Sequence, residues 1–61
     1  MPIIHVEMLK GRSIEQKQKL AESLTKSFVE SCGGNHDKIN VIINEVDSEN
    51  WAIGGTLISD R

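Results

Sequence analysis

Pro2, directly behind Met1 in a chain of 61 residues, is the position where the sequence most plainly offers reactive chemistry. Removal of a methionine ahead of a small residue exposes a secondary amine at the start of a strand-forming stretch. An α-amino group ionises at about 7.7–8.0, nearer neutrality than lysine at roughly 10.4. A neighbouring cation or partial burial would bring such an amine into the range of a general base at pH 7. The plainer reading of the same residue is a proline that opens an edge strand and discourages its pairing.

Arg12, in Gly11-Arg12-Ser13, is the second candidate. A guanidinium in a loop can hold a carboxylate through two parallel hydrogen bonds and can depress the pKa of a nearby amine, whereas an ordinary surface arginine does neither. Trp51 with Ile53, beside Gly54-Gly55, is the third. It can wall a small apolar site that excludes water, or it can anchor an interface between subunits. Other groups offer less. Cys32, His36 and Asp37 are too few for a metal site, so none is expected, and Cys32 reads as the last apolar position of a helix. His5 alternates with apolar neighbours and reads as a polar contact at an interface. Gly54-Gly55 lacks the Lys and Ser/Thr of a phosphate loop and reads as a turn.

Four elements must position these residues. Ile3 to Leu9 is β-branched and apolar, with Ile4, Val6 and Met8 on one face, which predicts a strand over about 3–9. Ser13 and Gln16 have the spacing of a capping box. Leu20, Leu24, Phe28 and Cys32 follow at four-residue intervals with Ile14, Ala21 and Val29, predicting a helix over about 14–32 that ends at Gly33-Gly34. Glu15 with Lys19 and Glu22 with Lys26 are spaced as helix-stabilising pairs. The run from Ile39 to Val46 predicts a second strand, and the two short apolar runs around Gly54-Gly55 predict a hairpin over about 51–58. The expectation is a single α/β domain over 1–61, one β-α-β unit with parallel strands followed by a hairpin.

Composition narrows the function. The net charge is −2, no basic tract is present, and Phe28 and Trp51 are the only aromatic side chains, so nucleic acid is a poor partner. No run approaches the roughly 20 apolar residues of a membrane span. One cysteine without an export signal suits a reducing cytoplasm. A domain of about 60 residues buries only roughly 60% of its unfolded surface. With neither disulfide nor zinc to supplement that core, self-association is expected.

Met1-Pro2, Gly11-Arg12-Ser13 followed by Glu15-Gln16-Lys17, Val41-Ile42-Ile43 and Ile53-Gly54-Gly55 stand in an order and spacing that resembles the 4-oxalocrotonate tautomerase (2-hydroxymuconate tautomerase) family over nearly the whole chain. The resemblance implies a cofactor-independent isomerase of small unsaturated keto acids, of the kind met in breakdown of aromatic hydrocarbons. It implies that Pro2 is the base, that Arg12 binds a substrate carboxylate, that Trp51 lines the pocket, and that the chain assembles as a homohexamer, a trimer of dimers. The family's second arginine falls at Asn40, which carries no charge, and Lys38, two residues earlier on an extended strand, is the expected partial substitute. Two other readings share the fold: a noncatalytic oligomeric scaffold, and a proline-dependent dehalogenation, hydration or decarboxylation.

Overall fold

In the computed structural model, which describes residues 1–61, the helix start follows from two reciprocal hydrogen bonds. The Gln16 N–H donates to Ser13 Oγ at 3.2 Å, and the Ser13 N–H donates to Gln16 Oε1 at 2.9 Å. These satisfy two of the donors that every helix N-terminus leaves open. Helix α1 runs Ile14–Cys32 and stops where the Gly33 N–H donates to the Val29 carbonyl at 2.8 Å, with Gly33 at φ 82°. That backbone region is nearly closed to residues with a Cβ.

Strand β1, Ile3–Leu9, precedes the helix and strand β2, Asn40–Val46, follows it. The two pair in parallel from Ile3 opposite Asn40 to Leu9 opposite Val46. The ladder extends one step at each end: the Asn40 N–H donates to the Pro2 carbonyl, and the Lys10 N–H to the Val46 carbonyl, both at 3.0 Å. Ile4, Val6, Met8, Val41 and Ile43 are half-buried beneath the helix, which turns Leu20, Ala21, Leu24, Phe28 and Val29 toward them. A short antiparallel hairpin closes the chain, β3 (Ala52–Ile53) with β4 (Thr56–Leu57). Gly54 and Gly55, at φ 60° and 86°, supply the two positive-φ positions of its tight turn. The chain is thus α/β, one parallel β-α-β unit and a C-terminal hairpin.

Several local expectations are corrected. Ahead of β2, His36–Lys38 is a 3₁₀ turn, capped by the Asn35 side chain, which accepts from the Asp37 N–H at 3.0 Å. Lys38 therefore sits in that turn, and strand alternation does not place it beside Asn40. Ile14 and Cys32 lie exposed at the two ends of the helix. Nineteen helical residues span about 28 Å at ~1.5 Å each, which outruns seven-residue strands of about 23 Å. Glu15 and Lys19, and Glu22 and Lys26, are not in ion-pair contact; pairs in full solvent gain little from closing. Lys17 instead reaches Glu45 on β2 at 2.7 Å, with both side chains about a quarter exposed, and this pair ties the helix to the sheet.

No residue of the isolated chain is buried. Its accessible surface is 4624 Å², where a globular protein of this mass exposes about 4,000 Å². The radius of gyration is 14.5 Å, against about 10–11 Å for a compact domain of this length. The molecule is a plate of 43 × 24 × 15 Å with a helix on one face. Its other face is uncovered and carries Ile3 and Ile42, 61% and 48% exposed, among His5, Glu7, Asn40 and Asn44. Association must supply the burial that the single chain lacks. Ile42→Lys, harmless on a true surface, is accordingly expected to shift the protein to smaller species by sedimentation. It should also lower Tm and remove the rise of Tm with protein concentration that marks coupled folding and assembly.

Candidate active site

Parallel pairing decides where the candidate residues fall. Both strands start at one edge of the plate and finish at the other. Pro2 stands at the starting edge, half-buried, and its carbonyl is held by the Asn40 N–H at 3.0 Å. Asn40 shares the open sheet face with its register partner Ile3, and its side-chain amide donates to the Lys38 carbonyl at a long 3.4 Å. Lys38 itself is exposed, with no carboxylate within 4 Å. One edge therefore gathers Pro2, Lys38 and Asn40: a proline behind Met1, a cation and a neutral hydrogen-bond donor. Met1 in front of them is 89% exposed.

Arg12 and Trp51 lie at the opposite edge. Arg12 follows the last ladder bond of β1, behind Gly11 at φ 136° and ahead of the Ser13 cap. It is exposed and also has no carboxylate within 4 Å. Trp51 follows the turn Ser48–Asn50, and its carbonyl accepts from the Ile58 N–H at 2.8 Å. Its ring is half-buried along an open hollow of about 350 Å³, with Glu7, Val46, Asn50 and Ala52 as the other walls. A larger hollow of about 460 Å³, between helix residues Ala21 to Lys26 and His36, holds none of the candidate residues.

Seven strand residues, about 23 Å at ~3.3 Å each, separate the two groups, farther than any side chain reaches. Within one chain, Pro2 and Arg12 cannot touch the same small molecule. A site that uses both must join the starting edge of one subunit to the finishing edge of another.

The carboxylates along the sheet are engaged. Glu7 Oε1 lies 3.1 Å from His5 Nε2, and its Oε2 accepts from Asn44 Nδ2 at 2.8 Å. Glu45 is held by Lys17. Asp47 Oδ1 lies 3.1 Å from Lys10 Nζ. Sequence reasoning singled out neither Lys10 nor Asp47, reading them as loop. Once Leu9 is set opposite Val46, the next register step puts Lys10 opposite Asp47, but that register is a property of the folded pair. No three His, Cys, Asp or Glu side chains come together as a metal cluster.

The family model described as "Tautomerase enzyme" matches residues 2–61. The 2-hydroxymuconate tautomerase of Bacillus subtilis (strain 168) is 40% identical over 60 residues, covering 98% of this chain and 97% of its own. Among crystal structures, YwhB, a homologue of 4-oxalocrotonate tautomerase, superposes with a TM-score of 0.95 at 38% identity, with 98% of each chain covered. A heterohexamer 4-oxalocrotonate tautomerase from Chloroflexus aurantiacus J-10-fl superposes with a TM-score of 0.91 at 32% identity, over 98% of this chain and 97% of its own.

Proposed function

Since the chain belongs to the tautomerase family, we propose that it is a keto–enol tautomerase of small 2-hydroxydienoates or unsaturated keto acids, with the amine of Pro2 as general base once Met1 is removed. The observation that carries this reading is the bond from the Asn40 N–H to the Pro2 carbonyl. It fixes the residue behind an exposed Met1 at the sheet edge, so that the amine of a processed chain has a defined position rather than a frayed one.

The neutral amine takes the hydroxyl proton of a 2-hydroxy-2,4-dienoate as the C2 carbonyl forms, and the proton is returned at C3 or C5. Substrate and product are isomers, and no electrons or groups are exchanged with a cofactor. Arg12 of a neighbouring subunit binds the carboxylate bidentately. Asn40 and nearby N–H groups donate to the oxygen on which charge develops, Lys38 supplies the cation at that edge, and the Trp51 ring excludes water. The separation of Pro2 from Arg12 makes the site composite. A hexamer arranged as a trimer of dimers meets that need and the missing core together, and the Chloroflexus relative is itself described as a heterohexamer. The engagement of Glu7, Glu45 and Asp47 by His5, Lys17 and Lys10 leaves these carboxylates little part as extra acids or bases, which favours tautomerisation over dehalogenation or hydration.

Steady-state turnover of 2-hydroxymuconate tests the base. Pro2→Ala is expected to slow it by about a hundredfold, the lower end of what a positioned general base contributes. A preparation shown by intact mass to retain Met1 should be as impaired, because its residue-2 nitrogen is an amide. In processed protein kcat/KM should fall on the acid side, since protonation removes the base. No loss in Pro2→Ala defeats the catalytic reading, and no turnover in any form favours a scaffold.

Subunit mixing tests the composite site. Pro2→Ala and Arg12→Ala proteins, each nearly inactive, should regain part of the unmodified rate when denatured and refolded together, because some sites then pair an intact Pro2 with an intact Arg12. Mixtures that stay inactive would place both residues in one subunit's site.

Lys38→Ala should lower the rate on 2-hydroxymuconate about three- to tenfold, less than Arg12→Ala, as fits loss of an exposed cation rather than of a bidentate clamp. An unchanged rate would remove Lys38 from the site.

A further inference from the structure

The finishing edge of the sheet carries two cations and an unusual division of labour between them. Lys10 and Arg12 are two residues apart, no more than about 7 Å of extended chain. Asp47, the residue after β2, is bound by Lys10, the residue after β1, at 3.1 Å, while Arg12 has no carboxylate within 4 Å. The arrangement is anchored on both sides. The Lys10 N–H holds the Val46 carbonyl at 3.0 Å, and the Asp47 carbonyl accepts from the Asn50 N–H at 2.8 Å, at the base of the turn that leads to Trp51. The other charged groups toward this edge are Glu45, held by Lys17, Glu7, engaged by His5 and Asn44, and the exposed Glu15 and Glu49, which are in no ion pair.

A guanidinium is the better partner for a carboxylate, because its planar fork makes two hydrogen bonds where an ammonium offers a point charge. With Lys10 absent, Asp47 would be an unpaired carboxylate whose former partner stands two residues from Arg12. We infer that Lys10 is a specificity device of the substrate site: by occupying Asp47 it keeps Arg12 free for the carboxylate of an incoming keto acid. The inference rests on the reading of Arg12 as the carboxylate binder. Lys10 acts through Arg12 and touches no reacting atom, so it is a positioning residue.

Competition of this kind has a signature that a packing role lacks, because deleting the competitor restores what deleting the lysine removes. The test is steady-state kinetics of 2-hydroxymuconate on full-length assembled protein, with Lys10→Gln, Lys10→Arg, Asp47→Asn, the Lys10→Gln/Asp47→Asn double variant and Arg12→Ala, each checked for assembly by sedimentation. Lys10→Gln should raise KM about three- to fivefold with kcat little changed, the scale of an exposed ion pair. Lys10→Arg, Asp47→Asn and the double variant should keep a KM near that of the unmodified protein. Raising the ionic strength should shrink the Lys10→Gln defect, since salt screens exposed pairs. A double variant as impaired as Lys10→Gln alone overturns the inference, and so does an unchanged KM in Lys10→Gln. If Arg12→Ala leaves KM unchanged, the assignment of Arg12 falls and this inference with it. If Arg12→Ala raises KM and Lys10→Gln does not, only the role of Lys10 is lost.

Discussion

Everything in this molecule follows from a deficit of burial. A two-stranded sheet with one helix laid across it can shelter one face only, and here even the sheltered face is no more than half-buried, with no residue removed fully from solvent. Hydrophobic burial is the main favourable term in folding, and this chain obtains too little of it alone. The uncovered face is not purely apolar. Ile3 and Ile42 share it with Glu7, which accepts from Asn44 Nδ2 and lies 3.1 Å from His5 Nε2, so that covering the face would bury a polar group already partnered.

The second constraint is polarity. A parallel pair has all its strand starts at one edge and all its ends at the other, which an antiparallel pair of the same length would not. Pro2, Lys38 and Asn40 are thereby sorted from Arg12 and Trp51, one group at each edge. The lack of burial calls for a neighbouring subunit, and under the proposed function the separation of Pro2 from Arg12 calls for one as well, so that one association would answer both.

Charge is distributed to the same end. Glu7, Glu45 and Asp47 are taken up by His5 and Asn44, by Lys17 and by Lys10, while Arg12 and Lys38 are left without carboxylate partners. With a net charge of only −2 the chain has no long-range field to draw anions, so any attraction for a small carboxylate of the kind proposed would rest on local cations such as these.

Local sequence determined the pieces. The alternation of Ile4, Val6 and Met8 marked a strand face, Ser13 with Gln16 set the helix start through hydrogen bonds three residues apart, and adjacent glycines at 33–34 and 54–55 ended one element and turned another, because each effect acts over a few residues of chain. Pro2, Arg12 and Trp51 stood in the sequence as chemical types in an order that resembles the family's, with Asn40 where the family has an arginine. Relations between distant residues were not legible there. That Lys38 lies in a 3₁₀ turn, that Lys17 chooses Glu45 over any helix neighbour, that Lys10 meets Asp47, and that Pro2 and Arg12 stand a strand's length apart were decided only when β1 and β2 took their parallel register. Register is a property of two segments joined across thirty intervening residues, set by what both can bury together, and neither segment contains it alone.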